Sequence, residues 1–273
     1  MTAVFEFHAL FLRKKMSYSA RPYMLAETNW EAVRDTAFTT AVLPWGATEA
    51  HNFHLPYATD NYQADHVVER SAAIAWDKGA KLIVLPTIPY GVQTGQLDIK
   101  LCMNLMPSTQ LAILKDVCDV LVRHGISRLV IFNGHGANNF MPIIRELAGL
   151  YPSLLVCSLN WFQAADKKGI FEEPGDHADE METSVMMHIS PTLVRPLSEA
   201  GDGANRRFRP EGFRKGWAWT QRPWSLITAD TGAGNPYAAT PDKGMRFLDA
   251  CIANIAEFLY EVGTKSTVEL LGE

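Results

Sequence analysis

A single-domain α/β fold, with a mostly parallel sheet flanked by helices on both faces, is what the sequence predicts, and three observations carry it. Short β-branched runs alternate along the chain with segments of helical period, the order that builds parallel sheets. Those runs are apolar at successive positions rather than at every second one, which suits strands covered on both sides. The 273 residues, 47% of them hydrophobic and 20% charged, supply one large core, and no linker or internal repeat divides them.

The elements follow in order. Residues 39–43 read as the first strand and 61–77 as the first long helix, with a second strand at 81–85. The segment 108–124 has the clearest helical period. Ser108 stands as its N-cap, Leu111, Leu114, Val117, Cys118, Leu121 and Val122 share a face, and Gly125 closes it. Residues 128–132 and 154–159 read as buried strands, with a helix over about 139–151 between them. From Ala165 to Pro236 the chain is rich in Gly, Pro, Trp and charge. It reads as long loops around one short helix near 180–189. A last helix starts at Thr240-Pro241, with Pro at its first position, and carries Met245, Leu248, Ile252, Ile255 and Leu259.

Composition excludes several classes. The net charge of -5 and the lack of a basic stripe with interleaved aromatics exclude nucleic acid as a partner. The densest basic stretch, Arg206-Arg207-Phe208-Arg209 with Arg214-Lys215, reads as a solvated loop, with contact to an acidic ligand or a neighbouring subunit as the alternative. Cys102, Cys118, Cys157 and Cys251 are widely spaced and form no CxxC pair. They read as reduced thiols of a cytoplasmic protein, not as a thiolate metal site. No stretch is long enough to span a membrane. The apolar run at 4–12 precedes Arg13-Lys14-Lys15, the reverse of a signal peptide's order. Residues 1–35 are read as an N-terminal arm, with Met16 as an alternative start, and 36–265 as the domain.

Chemistry-bearing residues gather in three places. After the first strand come Glu49, His51, His54 and Asp60, within Leu43-Pro44-Trp45-Gly46-Ala47-Thr48-Glu49-Ala50-His51-Asn52-Phe53-His54-Leu55-Pro56 and the residues just beyond. Imidazole and carboxylate together suit a divalent metal such as zinc, manganese or iron. Taken alone, Asp60 reads equally well as a helix cap. His135 sits in Asn133-Gly134-His135-Gly136-Ala137-Asn138, after the third strand. Ligands of open parallel sheets gather beyond the carboxyl ends of strands, so this segment and the first converge on one edge. The third place is Asp176-His177-Ala178-Asp179-Glu180-Met181-Glu182-Thr183-Ser184. Asp179 and Glu180 suit a helix start, but Glu182 amid apolar neighbours requires a metal or a charge as partner. His66, His124 and His188 read as structural. Phosphate-loop, dinucleotide-fingerprint and serine-elbow motifs are absent from the sequence. The pattern is that of a metal-dependent enzyme.

These segments resemble, in order, the signatures of the creatininase (creatinine amidohydrolase) family. Thr231-Gly232-Ala233-Gly234-Asn235-Pro236, with Ala239-Thr240, Lys243 and Gly244, is similar to the family's C-terminal block. The resemblance implies an α/β metal-hydrolase domain holding two divalent ions (zinc, manganese or iron) per protomer. It also implies a homo-oligomer, commonly a hexamer, acting on a small-molecule substrate. The reaction it implies is hydrolysis of a non-peptide C–N bond in a cyclic amide such as creatinine, or in a formamide, by a hydroxide bridging the metals. Carried over by position, Glu49, Asp60 and His135 hold one metal. His51, the bridging Asp60 and a further carboxylate hold the other. In creatininase that carboxylate follows the second-signature His by two positions, where this chain has Ala137. Glu182 is its natural substitute, and the departure points away from creatinine itself. His177 is the candidate to protonate the leaving nitrogen, and His54, beside the ligands, is a candidate either to support them or to contact substrate. Two alternatives remain at this point. One is a two-metal hydrolase of another class, such as a phosphoesterase, for which no Lys/Arg clamp stands near the motifs. The other is a non-catalytic metal- or ligand-binding member.

Overall fold

The computed structural model describes residues 20–173 and 175–272. The apolar run at 4–12 and Met16 lie outside the described residues. In chain order the elements are α1 (Trp30–Asp35), β1 (Thr40–Trp45), α2 (Thr59–Asp77), β2 (Leu82–Val84), α3 (Pro107–Arg123), β3 (Arg128–Asn133), α4 (Met141–Leu150), β4 (Leu155–Asn160), α5 (Glu180–Ile189), α6 (Glu211–Arg214), α7 (Trp224–Ile227), α8 (Pro241–Thr264) and α9 (Thr267–Leu270). All strand pairs are parallel, in the order β2-β1-β3-β4.

Strand alternation sorts the core into two layers. Val42, Val84, Val130 and Phe132 face one side and pack with α2 and α8, through Val67, Val68, Leu248, Ile255 and Leu259. Ala41, Leu43, Trp45, Leu129 and Ile131 face the other side, against Leu114, Cys118 and Leu121 of α3 and Ile143 and Leu147 of α4. Helices therefore cover both faces, and the runs in β1 and β3 are apolar at successive positions for that reason. α8 also packs along α2 and α5, which fixes two helices that matter for the site.

The expected boundaries need four corrections. α3 begins at Pro107, not Ser108, and its cap position is Met106, which makes no side-chain hydrogen bond. Proline's preset φ starts this helix without a capping side chain. α2 begins at Thr59, so Asp60 lies in its first turn. α4 begins at Met141 and likewise has proline in its first turn. β4 is an edge strand and half-buried along most of its length, not a fully buried one. Residues 20–35, within the segment read as an arm, contribute Tyr23 and Met24 to the core. Met24 lies alongside Val84 as a parallel bridge, which covers the short edge strand β2.

Candidate metal centre

β1 and β3 are neighbours whose last residues, Trp45 and Asn133, are in register. The chain order of the strands reverses between them, and at such a switch point the loops diverge to leave a crevice. The loop after β1 brings Glu49 and His51 there, and the first turn of α2 brings Asp60. The turn after β3 brings His135. Its imidazole fits because position 91 is glycine: a Cβ there would stand 2.8 Å from His135 Cδ2. From the opposite side α5 brings Glu182. Asp179 caps α5 by accepting from the Glu182 N–H (3.0 Å). The preceding Ala178 has φ 48°, a left-handed conformation rare for alanine. That conformation turns the Ala178 N–H onto the Glu182 carboxylate. Backbone strain here orients a site carboxylate.

The side chains form two trios that share Asp60. His135 Nδ1 stands 2.9 Å from both Glu49 Oε1 and Asp60 Oδ2. His51 Nε2 stands 3.1 Å from the other Asp60 oxygen, Oδ1, and 3.8 Å from Glu182 Oε2. Glu49, Asp60 and His135 present ligand atoms close enough to hold one ion, and so do His51, Asp60 and Glu182. His177 Nδ1 is 3.8 Å from Glu49 Oε1, its ring lies 4.2 Å from that of His51, and Glu49, His51 and His177 form a third such set.

Each imidazole is tethered by its outward nitrogen to a backbone carbonyl. His51 Nδ1 meets Glu49 O at 3.1 Å, His135 Nε2 meets Val92 O at 3.2 Å, and His177 Nε2 meets Ala50 O at 2.8 Å. With the proton on the outward nitrogen, the inward one offers a lone pair to an ion.

The donor set fits divalent cations. Glu49 Oε1 and Asp60 Oδ2 are buried and receive no well-aligned hydrogen bond, although His135 Nδ1 is near both. No Lys or Arg pairs with Glu49, Asp60 or Glu182 among the described residues. Three carboxylates sunk together without a cation are unfavourable, and a metal removes the imbalance.

Without metal the cluster balances itself with protons. Burial pulls His51 down, but Asp60, Glu182 and Glu49 outweigh burial and push it up to about 10. Burial likewise works against His135, and Glu49 and Asp60 raise it well above the usual histidine range. Burial favours neutral Glu49 and Asp60, but the histidines beside them hold both carboxyls low. Glu182 is pushed up to about 8, chiefly by burial. His177 is lowered, again by burial, so it is neutral at pH 7.

A cavity of about 810 Å³ opens onto Glu49, Asp60, His135, His177 and Glu182. Ala137 lines the same cavity from an exposed turn. Trp224 is buried edge-on to His177 at 4.9 Å, and Trp219, 82% exposed, lines the rim. Trp161 belongs to the core. The sequence shows no basic residue near the motifs, yet the fold brings Lys167 and Arg222 to the cavity wall. His54 is placed differently from the other expected residues. It is buried, its Nε2 meets Thr183 Oγ1 of α5 at 2.8 Å, and burial pushes it down to about 4. Sequence reading missed two buried glutamines, which no periodicity marks. Gln96 donates to Glu49 Oε2 and Gln93 Nε2 lies 3.1 Å from His135 Nε2.

The sequence profile of the creatininase family, creatinine amidohydrolase, matches residues 26–259. The chain belongs to the creatininase family. Creatinine amidohydrolase of Pseudomonas putida is 28% identical over 242 residues, 81% of this chain and 88% of that protein. The solved structure of a Bacteroides fragilis NCTC 9343 protein assigned to creatinine amidohydrolase is 38% identical, with a TM-score of 0.84, over 90% of this chain and 98% of that one. A mycofactocin precursor peptide peptidase of Mycobacterium ulcerans (strain Agy99) is 26% identical over 89% of this chain and 95% of its own. Creatininases solved in a manganese form and a Zn–Zn form share the fold, with TM-scores of 0.74 and 0.73 and 22% and 23% identity, each over 90% of this chain and 100% of its own. The protein is thus a creatininase-family hydrolase acting on carbon–nitrogen bonds, and its relatives include both a creatinine amidohydrolase and a peptide peptidase.

Proposed function

We propose that the protein hydrolyses a C–N bond of a small cyclic amide or formamide at a two-metal centre. Glu49, Asp60 and His135 would hold one divalent ion, and His51, Asp60 and Glu182 the other. The observation that carries this reading is Asp60, which turns Oδ2 to one trio and Oδ1 to the other, as a bridging carboxylate must. Bound there, zinc, manganese or iron would supply Lewis acidity and bring the pKa of water near neutrality.

The chain's own residues supply the rest. His177 is neutral, with one nitrogen tied to Ala50 O and the other open to the cavity. It can accept a proton at Nδ1 and return it to the leaving nitrogen. Trp224 excludes water from one side of that imidazole. His54, bonded to Thr183, would act by seating α5, and hence Glu182. Ala137, which lines the cavity, stands where the resemblance places a carboxylate in creatininase itself, and this supports a substrate other than creatinine. The protein would work as a cytoplasmic homo-oligomer on a small-molecule substrate. Among the described residues, no helix is long and apolar enough to cross a membrane.

The test is elemental analysis of the purified protein, dialysed against manganese or zinc, followed by a screen of cyclic amides, formamides, short peptides and phosphoesters. Two metals per protomer and turnover confined to non-peptide amides are expected. One metal or none would favour a ligand-binding role. Cleavage of peptides alone would place the protein with the peptidase relatives.

A further inference from the structure

Beside the metal centre lies a second concavity, of about 440 Å³, walled by Arg206, Arg207, Arg214 and Arg222 with Phe208 and Phe213. The two phenylalanine rings pack against each other at 5.1 Å. Among the described residues, no carboxylate pairs with Arg206, Arg207 or Arg214. The acid on this wall, Asp176, is taken by Arg222 at 2.8 Å. Three unpaired guanidiniums thus share one hollow on a chain whose net charge is -5. Like charges held together without counter-charge repel, and a bound anion relieves that repulsion through charge-assisted bonds that guanidinium forks suit well.

The two concavities are separated by little more than one strand of backbone. Gly175, Asp176 and Arg222 line both. The N–H groups of Asp176 and His177 both donate to Ala233 O, at 2.8 and 3.3 Å. Ala233 faces the arginine hollow, and His177 faces the metal-centre cavity. Arg222 stacks over Trp224 at 4.7 Å, and Trp224 covers His177. A molecule with its amide at the metal centre would meet the arginines by passing Gly175, Asp176 and Arg222, which line both concavities.

We infer that this hollow is a subsite for an anionic group, carboxylate or phosphate, carried by the substrate of the amide hydrolysis proposed above. The assignment rests on that hydrolase reading for what the anion is attached to. It does not depend on that reading for the anion site itself. The hydrolytic step has no need of these arginines, so they serve selection. Neutral amides lack the group that would fill the hollow, and an anionic amide is drawn to a positive mouth on an otherwise acidic protein.

The test is calorimetric titration of the metal-loaded protein with sulfate and, separately, with glutarate. Wild type is compared with R206A/R207A/R214A and with R206K/R207K/R214K. Metal content, thermal melting and sedimentation are read on the same samples. Expected is one anion per protomer, bound about tenfold or more weakly by the alanine variant, less so by the lysine variant, with metal content unchanged. Preference for sulfate or glutarate tells a phosphate-bearing substrate from a carboxylate-bearing one. Absence of binding by wild type, or equal binding by all three proteins, overturns the subsite. A change in assembly mass without a change in anion affinity also overturns it, because the arginines then belong to a subunit contact. Should the alanine variant not fold, the fall of wild-type affinity with salt and the lysine variant decide. Arginine-dependent binding without turnover of any amide removes the hydrolase reading and leaves the anion site. Turnover without such binding removes the anion site alone.

Discussion

Asp60 shows how one residue satisfies two demands. In the first turn of α2 its carboxylate is favoured by the helix dipole, and the same position projects it between His51 and His135. The roles of its neighbours separate by single substitutions. Glu182→Ala is expected to lose one metal and keep the other, as read by elemental analysis. Retention of both would move Glu182 out of the ligand set. His177→Ala is expected to retain both metals and lose about 10²–10⁴-fold in kcat; a metal-free product would make His177 a ligand instead. The charges packed around these groups give a further prediction. His51 is held at about 10, His135 is raised, and Glu182 keeps its proton up to about 8. A cation must displace each of these protons, so metal affinity is expected to rise from about pH 6 to about pH 9, with proton release. Calorimetry in buffers of different ionisation enthalpy measures both, and affinity flat across that range would mean that other atoms bind the metal.

At the scale of elements, what was legible in the sequence tracks periodicity. β1, β3, α2 and α8 declare themselves because each repeats an apolar pattern against the core. The start of α3 did not, because Ser108 looks like a cap while Pro107 does the work without a side-chain bond. The candidate ligands at 49, 51, 60 and 135 stand out in the sequence because they follow strands. Gln93 and Gln96 were not, because a glutamine in an irregular loop carries no pattern and its partners are set only by the fold. The basic stretch Arg206-Arg207-Phe208-Arg209 with Arg214-Lys215 is plain in the sequence, but nothing there tells that Arg222 and Asp176 share a wall with its arginines. Gly244 ties local sequence to site geometry. It lies where α8 crosses α5, and a Cβ there would stand 2.1 Å from Ser184 O. The neighbouring Lys243 reaches the buried Glu180 at 2.6 Å, which pins the start of the same helix. Gly244→Ala is expected to push the helices apart, at a cost of about 1–3 kcal/mol. Reduced occupancy of the Glu182 metal should accompany the fall in melting temperature. An unchanged melting temperature would show that the crossing relaxes freely.

Across the whole molecule, the site joins parts of the chain that the sheet alone does not hold together. Glu49, His51 and Asp60 follow β1, His135 follows β3, and Glu182 stands on α5, a helix held to the rest by α8 and α2. The sheet fixes the first two groups in register, because Trp45 and Asn133 are paired. No strand carries α5, so its distance from the sheet edge depends on helix packing and on what sits between Glu182 and Asp60. An ion bound to both would staple α5 to the end of β1. Because ligands bind the folded state, each ion supplied at about a hundred times its Kd is expected to add about 2.7 kcal/mol of stability. That corresponds to roughly 5–11 °C in melting temperature for a domain of this size. The gain should be local in structure. On chelation, amide hydrogen exchange is expected to speed up at 49–60, 134–139 and 175–184, while β1 and β3 stay protected. Uniform acceleration, or none, would mean that the carboxylate–histidine cluster is held by its own hydrogen bonds and that metal does not join these segments.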